Sequence, residues 1–190
     1  MKILANYNLL PNSINGFLTL NFIRLNQGYV IKPFDCNDSD LNEFLLNDSC
    51  PHLGELLSVT YLIEDKDNTI AFFSLLNDKI TIDDVDSNGF WNRLRKKLPQ
   101  RKRFRSYPSM KIGRLGVHVD FKGKGYGNAI LDYLKILFIT NNRTGCKYIT
   151  VDAYSESLIF YEKNGFKYLT EKDIGKDTRL MYFDLKTLVP

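Results

Sequence analysis

The segment that most constrains this chain runs Arg114-Leu115-Gly116-Val117-His118-Val119-Asp120-Phe121-Lys122-Gly123-Lys124-Gly125-Tyr126-Gly127. Its three alternate glycines stand between two patterned stretches. Met110 to Val119 has strand character, and from Gly125 to Thr140 the residues Ile130, Leu131, Leu134, Leu137 and Phe138 fall on one helix face. A strand that enters a helix through a glycine-rich turn lets backbone N–H groups approach a ligand closely. The helix start adds unpaired donors and the positive end of its dipole, and together these suit a pyrophosphate. Lys122 and Lys124 add positive charge beside the turn. The spacing is not that of a phosphate loop, which needs GxxxxGK followed by Ser or Thr. Nor is it that of a dinucleotide fingerprint, GxGxxG with an acidic residue about 20 positions on. Taken alone, the glycines suit a plain strand-to-helix turn equally well.

The rest of the chain sets the frame for that turn. With 190 residues, 44% apolar and 13% aromatic, there is enough material for one core and too little for a second full domain. A net charge of only +4 on such a composition excludes collagen-like, low-complexity and intrinsically disordered classes. No apolar run approaches membrane-spanning length. The start, Met1 to Asn8, reaches polar Asn6 before a secretory apolar core can form, so no leader is expected. Cys36, Cys50 and Cys146 are odd in number and widely spaced, which disfavours a disulfide framework or a zinc site and predicts free thiols in a reducing cytoplasm. His52 and His118 are isolated, and a lone histidine is more often structural than a ligand, so no metal is expected.

The first 28 residues resist assignment, because Ile14, Phe17, Leu18, Leu20, Phe22, Ile23 and Leu25 match neither the helix nor the strand period. They are treated as an N-terminal extension, residues 1–28, before a domain spanning 29–190. Tyr29-Val30-Ile31 predicts a short strand, and Asn37-Asp38-Ser39-Asp40 ahead of Leu41, Phe44 and Leu45 predicts a helix start. Leu57 to Ile63 and Thr69 to Leu76, separated by Glu64-Asp65-Lys66-Asp67-Asn68, read as a hairpin. An acidic patch follows at Asp83, Asp84 and Asp86. Tyr148-Ile149-Thr150-Val151 predicts a buried strand, Ser155 to Lys163 a short helix closed by Asn164-Gly165, and Thr178 to Leu185 a last strand. Strands and helices are intermixed, as in a single α/β (α+β) domain.

Charge is concentrated in one place. Arg93, Arg95, Lys96, Lys97, Arg101, Lys102, Arg103 and Arg105 put eight cations in thirteen positions, and without them the chain would carry about −4. The basicity is a patch rather than a general property.

Two ordered motifs give these features a common meaning. Lys122-x-x-Gly125-x-Gly127 after Leu115-Gly116-Val117 resembles the acetyl-CoA motif of the GNAT N-acetyltransferase family: Gln or Arg, two residues, Gly, one residue, then Gly or Ala. Downstream, Val151-Asp152-Ala153 followed by Phe160-Tyr161-Glu162-Lys163-Asn164-Gly165-Phe166 is similar to that family's strand, helix and FYEK-x-GF signature. The similarity covers roughly Tyr29 to Leu185 and is strongest from Lys111 to Phe166. It departs at Lys122, which keeps a cation without the fork geometry of Arg, and at Ser155, where many members carry Asn.

The resemblance implies a GNAT fold, a twisted, mixed but mostly antiparallel sheet of about six to seven strands flanked by helices. It also implies acetyl transfer from acetyl-CoA to a primary amine, with the coenzyme A thiolate leaving. The backbone from Leu115 through Gly116 to Val117 would then pair with the pantetheine arm. The amides of Lys122, Gly123, Lys124, Gly125, Tyr126 and Gly127 would hold the pyrophosphate, and Ser155 would lie beside the cofactor arm. Tyr161 falls on the family tyrosine that protonates the departing thiolate; the alternative for it is core packing with Phe160 and Phe166. A phenol, with an ordinary pKa near 10, is protonated at neutral pH. No general base is assigned, since Glu64, Asp65 and Asp67 lie in a charged hairpin turn of a kind usually just solvated. An acceptor amine with a pKa near 8 needs no strong base, which points to an α-amine rather than a lysine side chain.

A closer resemblance bears on the acceptor. Phe34-Asp35-Cys36-Asn37-Asp38-Ser39-Asp40-Leu41-Asn42-Glu43-Phe44-Leu45 is similar to the opening of the GNAT branch that contains toxins of bacterial toxin–antitoxin pairs. So are Lys96-Lys97-Leu98-Pro99 and Tyr107-Pro108-Ser109 running into Gly113-Arg114-Leu115-Gly116-Val117. That branch implies the α-amine of aminoacyl-tRNA as acceptor and an antitoxin protein as partner, and dimerisation, common in the GNAT family, makes a homodimer plausible, although no residue of this chain demonstrates one. The basic block from Arg93 to Arg105 would contact tRNA phosphates. Three alternatives stay open: a small-amine acetyltransferase, a protein N-terminal acetyltransferase, and a catalytically silent GNAT fold that binds nucleic acid.

Overall fold

The computed structural model describes residues 22–95, 104–140 and 144–189. In chain order these begin with β1 (Phe22–Arg24), α1 (Ser39–Glu43), a π-helical turn at Phe44–Asp48 and α2 (Ser49–Gly54). The hairpin β2 (Val59–Glu64) and β3 (Thr69–Thr81) follows, then α3 (Asn88–Arg95) and β4 (Ser106–Val117). The second half holds α4 (Tyr126–Thr140), β5 (Tyr148–Tyr154), α5 (Leu158–Lys163), β6 (Lys167–Tyr168) and β7 (Thr178–Asp184). The described strands form one seven-stranded sheet in the order β1-β2-β3-β4-β5-β7-β6, antiparallel except where β4 meets β5. This is the mixed, mostly antiparallel sheet expected from the sequence.

Local chemistry explains several boundaries. Asp65 turns the β2–β3 hairpin by accepting from the amides of Asp67 and Asn68, each at 2.8 Å. Asp38 caps α1 by accepting from the Leu41 amide at 3.0 Å. Gly165, at φ +83°, ends α5 in the left-handed region, its amide bonded to Glu162 at 2.9 Å.

One expectation is corrected. Tyr29-Val30-Ile31 is not a strand but loop, and Val30 is 86% exposed with no strand beside it. The edge strand is instead Phe22–Arg24, within the stretch the sequence left unassigned, where Phe22 stacks on Tyr133 of α4 at 4.0 Å. Two elements were not anticipated: α3, anchored by buried Trp91, and the two-residue β6.

Alternation along the strands divides the core. One face packs Phe73, Leu75, Met110, Ile112, Ile149 and Val151 against Ile130, Leu131 and Leu134 of α4. The other face carries two separate clusters. Phe34, Phe44, Leu45, Leu62 and Phe72 fill one end, and Ile80, Trp91, Tyr107, Tyr148 and Tyr182 fill the other. Between them the same face presents Ser74, Leu76, Lys111, Arg114 and Asp152, too polar to close over, and a cleft remains there.

The parting of two strands deepens that cleft. β4 pairs with β3 along its length but with β5 only from Ser109↔Tyr148 to Ile112↔Val151. Gly113 is the extra residue of a bulge between the pairs Leu75↔Ile112 and Ser74↔Arg114. A Cβ there would lie 2.8 Å from Leu76 Cδ2 and 3.1 Å from Ser74 Oγ, so a larger residue at this bend would have to push those side chains aside. Past it, β4 stays with β3 while Asp152–Tyr154 stays with β7, and the two strands splay.

Candidate active site

The splay opens a cleft of about 610 Å³. A second hollow of about 640 Å³ lies at the glycine-rich loop, and Asp38, Leu41, Leu115, Glu156 and Ser157 line both. The two hollows adjoin at this shared wall, and the parted strands lie beside the one farther from the loop.

At the loop end, His118 Nδ1 accepts from the Asp120 amide at 3.2 Å and starts a single 3₁₀ turn, Val119–Phe121. Gly123 and Gly125 follow at φ +76° and +90°, a conformation costly for other residues. The first α4 bond runs from the Ala129 amide to the Gly125 carbonyl at 3.0 Å, so the amides of Gly127 and Asn128 have no intrahelical acceptor. A Cβ on Gly127 would lie 3.1 Å from the Phe160 ring, so glycine lets the start of α4 sit against α5. A left-handed glycine turn that delivers free amides at the start of a 15-residue helix fits a phosphate-bearing group.

The expected cofactor residues fall as follows. Leu115, Gly116, Val117, Lys122, Gly123, Gly125, Tyr126 and Gly127 all line the hollow at the loop. Lys124 does not; its ammonium lies over the Phe121 ring at 4.9 Å. The Lys122 ammonium reaches across the hollow and donates to the Cys36 carbonyl at 2.6 Å. Ser155 is exposed at the start of a 3₁₀ turn, while its neighbours Glu156 and Ser157 line both hollows.

Tyr161, brought in by α5, lines the cleft and is 6% exposed. Its ring packs edge-on against Phe160 at 5.0 Å and Phe166 at 5.3 Å. No hydrogen bond engages its hydroxyl among the described residues. Burial pushes its pKa up from the ordinary phenol value, so the group holds its proton throughout the neutral range. Core packing and an aim into the cleft coexist in one side chain.

The cleft itself contains residues that the sequence did not single out as site residues. The Arg114 guanidinium lies over the Phe44 ring at 5.3 Å and donates to the Gly113 carbonyl at 3.0 Å. Its Nε faces Asp40 at 3.4 Å without the alignment of a hydrogen bond. His52 lines the cleft, edge-on to Phe44 at 5.2 Å and with Nδ1 3.5 Å from Ser58 Oγ. Leu41, Leu57 and Leu76 supply apolar wall, and Lys111 and Asp152 form an ion pair at the floor. Only tertiary pairing places these residues together; the one local signal was the helix start at Asp38.

Of the cationic block, Lys96, Lys97, Arg101, Lys102 and Arg103 lie outside the described residues, as does the side chain of Arg95. Arg93 is exposed on α3 with its guanidinium 5.3 Å from the Phe90 ring centre, and Arg105 is exposed just before β4.

The match to known proteins now has a structural meaning. The model of the acetyltransferase (GNAT) domain matches residues 58–168, more than half of the chain, from the β2–β3 hairpin through α5 to β6. The chain belongs to the GNAT acetyltransferase family. Among curated protein sequences none matches it. Solved structures share this GNAT fold: a Tyr-to-Phe mutant of KacT superposes with a TM-score of 0.71 at 19% identity, covering 89% of this chain and 96% of that one. AtaT complexed with acetyl-methionyl-tRNAfMet gives 0.70 at 19% identity over 89% and 96% of the two chains. AtaTR bound with acetyl-CoA gives 0.67 at 19% identity over 89% and 95%.

Proposed function

We propose that this GNAT protein transfers the acetyl group of acetyl-CoA to a primary amine, and that the amine is the α-amine of an aminoacyl-tRNA. The observation that carries the transfer is a pair of adjoining hollows that share one wall, with free amides at the loop, parted strands beyond them and a buried phenol beside those strands. Acetyl-CoA supplies a thioester carbonyl and a thiolate leaving group. The residues from Lys122 to Gly127 would hold its pyrophosphate. The unpaired backbone edge of β4 from Leu115 to Val117 would hold the amide-bearing arm, since β5 has left those groups without a strand partner on that side.

Positioning supplies much of the rate in such a direct transfer. The amine nitrogen bonds to the carbonyl carbon, the carbon–sulfur bond breaks, and the amine loses a proton. Tyr161 donates a proton to the departing sulfur, and its burial keeps that proton available. Two observations support tRNA as the acceptor carrier. The cationic block supplies phosphate-binding charge, and the fold is shared with AtaT, whose complex holds acetyl-methionyl-tRNAfMet. AtaT also forms a complex with AtaR, which supports an antitoxin as partner of this chain.

The test is incubation with radiolabelled acetyl-CoA and total bacterial aminoacyl-tRNA, with amino acids, polyamines and peptides in parallel. Label is expected in the tRNA fraction and is lost when the aminoacyl ester is hydrolysed. Label only in small amines or peptides would overturn the tRNA reading, and label in none of them would overturn the transferase reading.

A further inference from the structure

The sequence placed Lys122 beside the pyrophosphate as a loose cation, and the structure gives its ammonium a different partner. Nζ donates at 2.6 Å to the carbonyl of Cys36, a residue 86 positions earlier that is itself 1% exposed. That carbonyl belongs to a tightly wound loop. Asp35 Oδ1 accepts from the Asn37 amide and from Asn42 Nδ2, both at 2.8 Å, and Asn42 Oδ1 accepts from the Cys36 amide at 3.0 Å. Asn37 sits at φ +57°, an uncommon conformation that this hydrogen-bonded turn maintains. The loop then delivers Asp38, the cap of α1.

Its place in the molecule gives this fastening a consequence. Asp38 and Leu41 line both hollows, so the loop and the start of α1 form the wall at which the two hollows meet. From the other side, the Asp35 carbonyl accepts from the Val119 amide at 2.8 Å, which ties the same loop to the turn before the glycines. Lys122 is therefore the charged half of a two-point attachment between the glycine-rich loop and the wall that the hollows share.

We propose that Lys122 is a positioning residue: by holding the Cys36 carbonyl it fixes the wall shared by the two hollows, so that seating of the acceptor depends on a residue of the cofactor loop. The catalytic part of this inference rests on the acetyl-transfer reading above. The attachment itself does not.

The experiment has one arm without ligand and one with. Hydrogen exchange of the ligand-free protein is measured over residues 36–43 for wild type, Lys122→Met and Lys122→Arg. Methionine keeps the stem and removes the donor, and exchange should quicken about tenfold or more, as expected for loss of a charge-assisted hydrogen bond to a local segment. Arginine restores a donor and should return exchange toward wild type. In the second arm, with total bacterial aminoacyl-tRNA as acceptor and saturating acetyl-CoA, KM for the acceptor should rise in Lys122→Met. It should rise likewise in Asn42→Ala, which loosens the same loop without removing a cation. Unchanged exchange with weakened acetyl-CoA binding would make Lys122 a phosphate ligand only and overturn the proposal. Faster exchange with unchanged acceptor KM would overturn the link to the acceptor. Absence of transfer to any acceptor would count against the proposed activity and against the acceptor link, while the exchange arm would still decide the attachment.

Discussion

Lys111 of β4 and Asp152 of β5 form an ion pair at the vertex of the cleft, where Ile112↔Val151 is the last backbone pair before the strands part. With side chains 25% and 46% exposed, the pair sits in water and contributes little to stability, about 0–1 kcal/mol. Its contribution is geometric, since it spans the two strands at the point from which the cleft widens. Asp152→Asn should leave the thermal midpoint within about 4 °C of wild type. Acetyl transfer should fall roughly tenfold, in keeping with the steep rate cost of a small misplacement. Equal loss of midpoint and rate would mark the pair as a stability element instead.

Gly116 should be intolerant for a reason separate from ligand binding. A Cβ there would lie 2.6 Å from Phe72 Cε1 and 3.2 Å from Phe34 Cζ, two rings that are 0% and 7% exposed and have little freedom to move. Gly116→Ala should cost about 1–3 kcal/mol, the usual range for overpacking. Urea denaturation of the ligand-free protein reads this directly, and an unchanged midpoint would show that the Phe34–Phe72 pair, 5.3 Å apart, can shift.

Leu56, just past the Glu55 cap of α2, sits at φ +59° and is 90% exposed, so a glycine there relieves backbone strain without removing buried apolar surface. The gain of about 1 kcal/mol or more is partly offset by the greater freedom of glycine in the unfolded chain. Leu56→Gly should match or exceed the wild-type urea midpoint and Leu56→Val should fall below it. The reverse order would contradict the strain.

Stability should fall at high pH. Burial raises the pKa values of Tyr148, Tyr161 and Tyr182, and the Tyr148 hydroxyl is buried with no hydrogen-bond partner. Below about pH 10 both the folded and unfolded chains keep these protons, and no stability is lost. Above it the unfolded chain releases them while the folded chain retains them, so bound protons favour the fold and stability declines as pH rises. Urea midpoints measured from pH 8 to 11 should drop above pH 10, and Tyr148→Phe should make the drop shallower. A pH-independent midpoint would show that these phenols titrate normally in the fold.

Elements fixed by local chemistry were readable in advance. Asp65 turns the hairpin, Asp38 starts α1, Ile130, Leu131 and Leu134 mark the buried stripe of α4, and Gly165 stops α5. Position-specific glycine spacing likewise exposed the hollow at the loop. What could not be read depends on distant partners. Tyr29-Val30-Ile31 has strand composition but no strand to pair with among the described residues, whereas Phe22–Arg24 becomes a strand because it pairs with β2 and Phe22 stacks on Tyr133. The acidic residues Asp84 and Asp86 turned out to be structural: Asp84 closes a capping box with Thr81, and Asp86 accepts from Thr170 Oγ1 at 2.5 Å. The charge around Arg93 hid α3, whose Phe90, Trp91 and Leu94 pack inward. His52 and Arg114 became site residues only when β2, β3 and β4 brought α2 over the parted strands.

Tyr161→Phe provides the most direct measurement of the central claim, that the parted strands hold a thioester beside a proton donor. The variant removes one oxygen and keeps the ring contacts to Phe160 and Phe166 at 5.0 and 5.3 Å. Acetyl-CoA affinity by calorimetry and single-turnover acetyl transfer are measured on the same preparations of variant and wild type. The account predicts affinity within about twofold and transfer slowed by about 10²–10⁴-fold, the range for loss of a general acid. Transfer at the wild-type rate, or affinity lost in step with rate, would contradict it and make Tyr161 a packing residue.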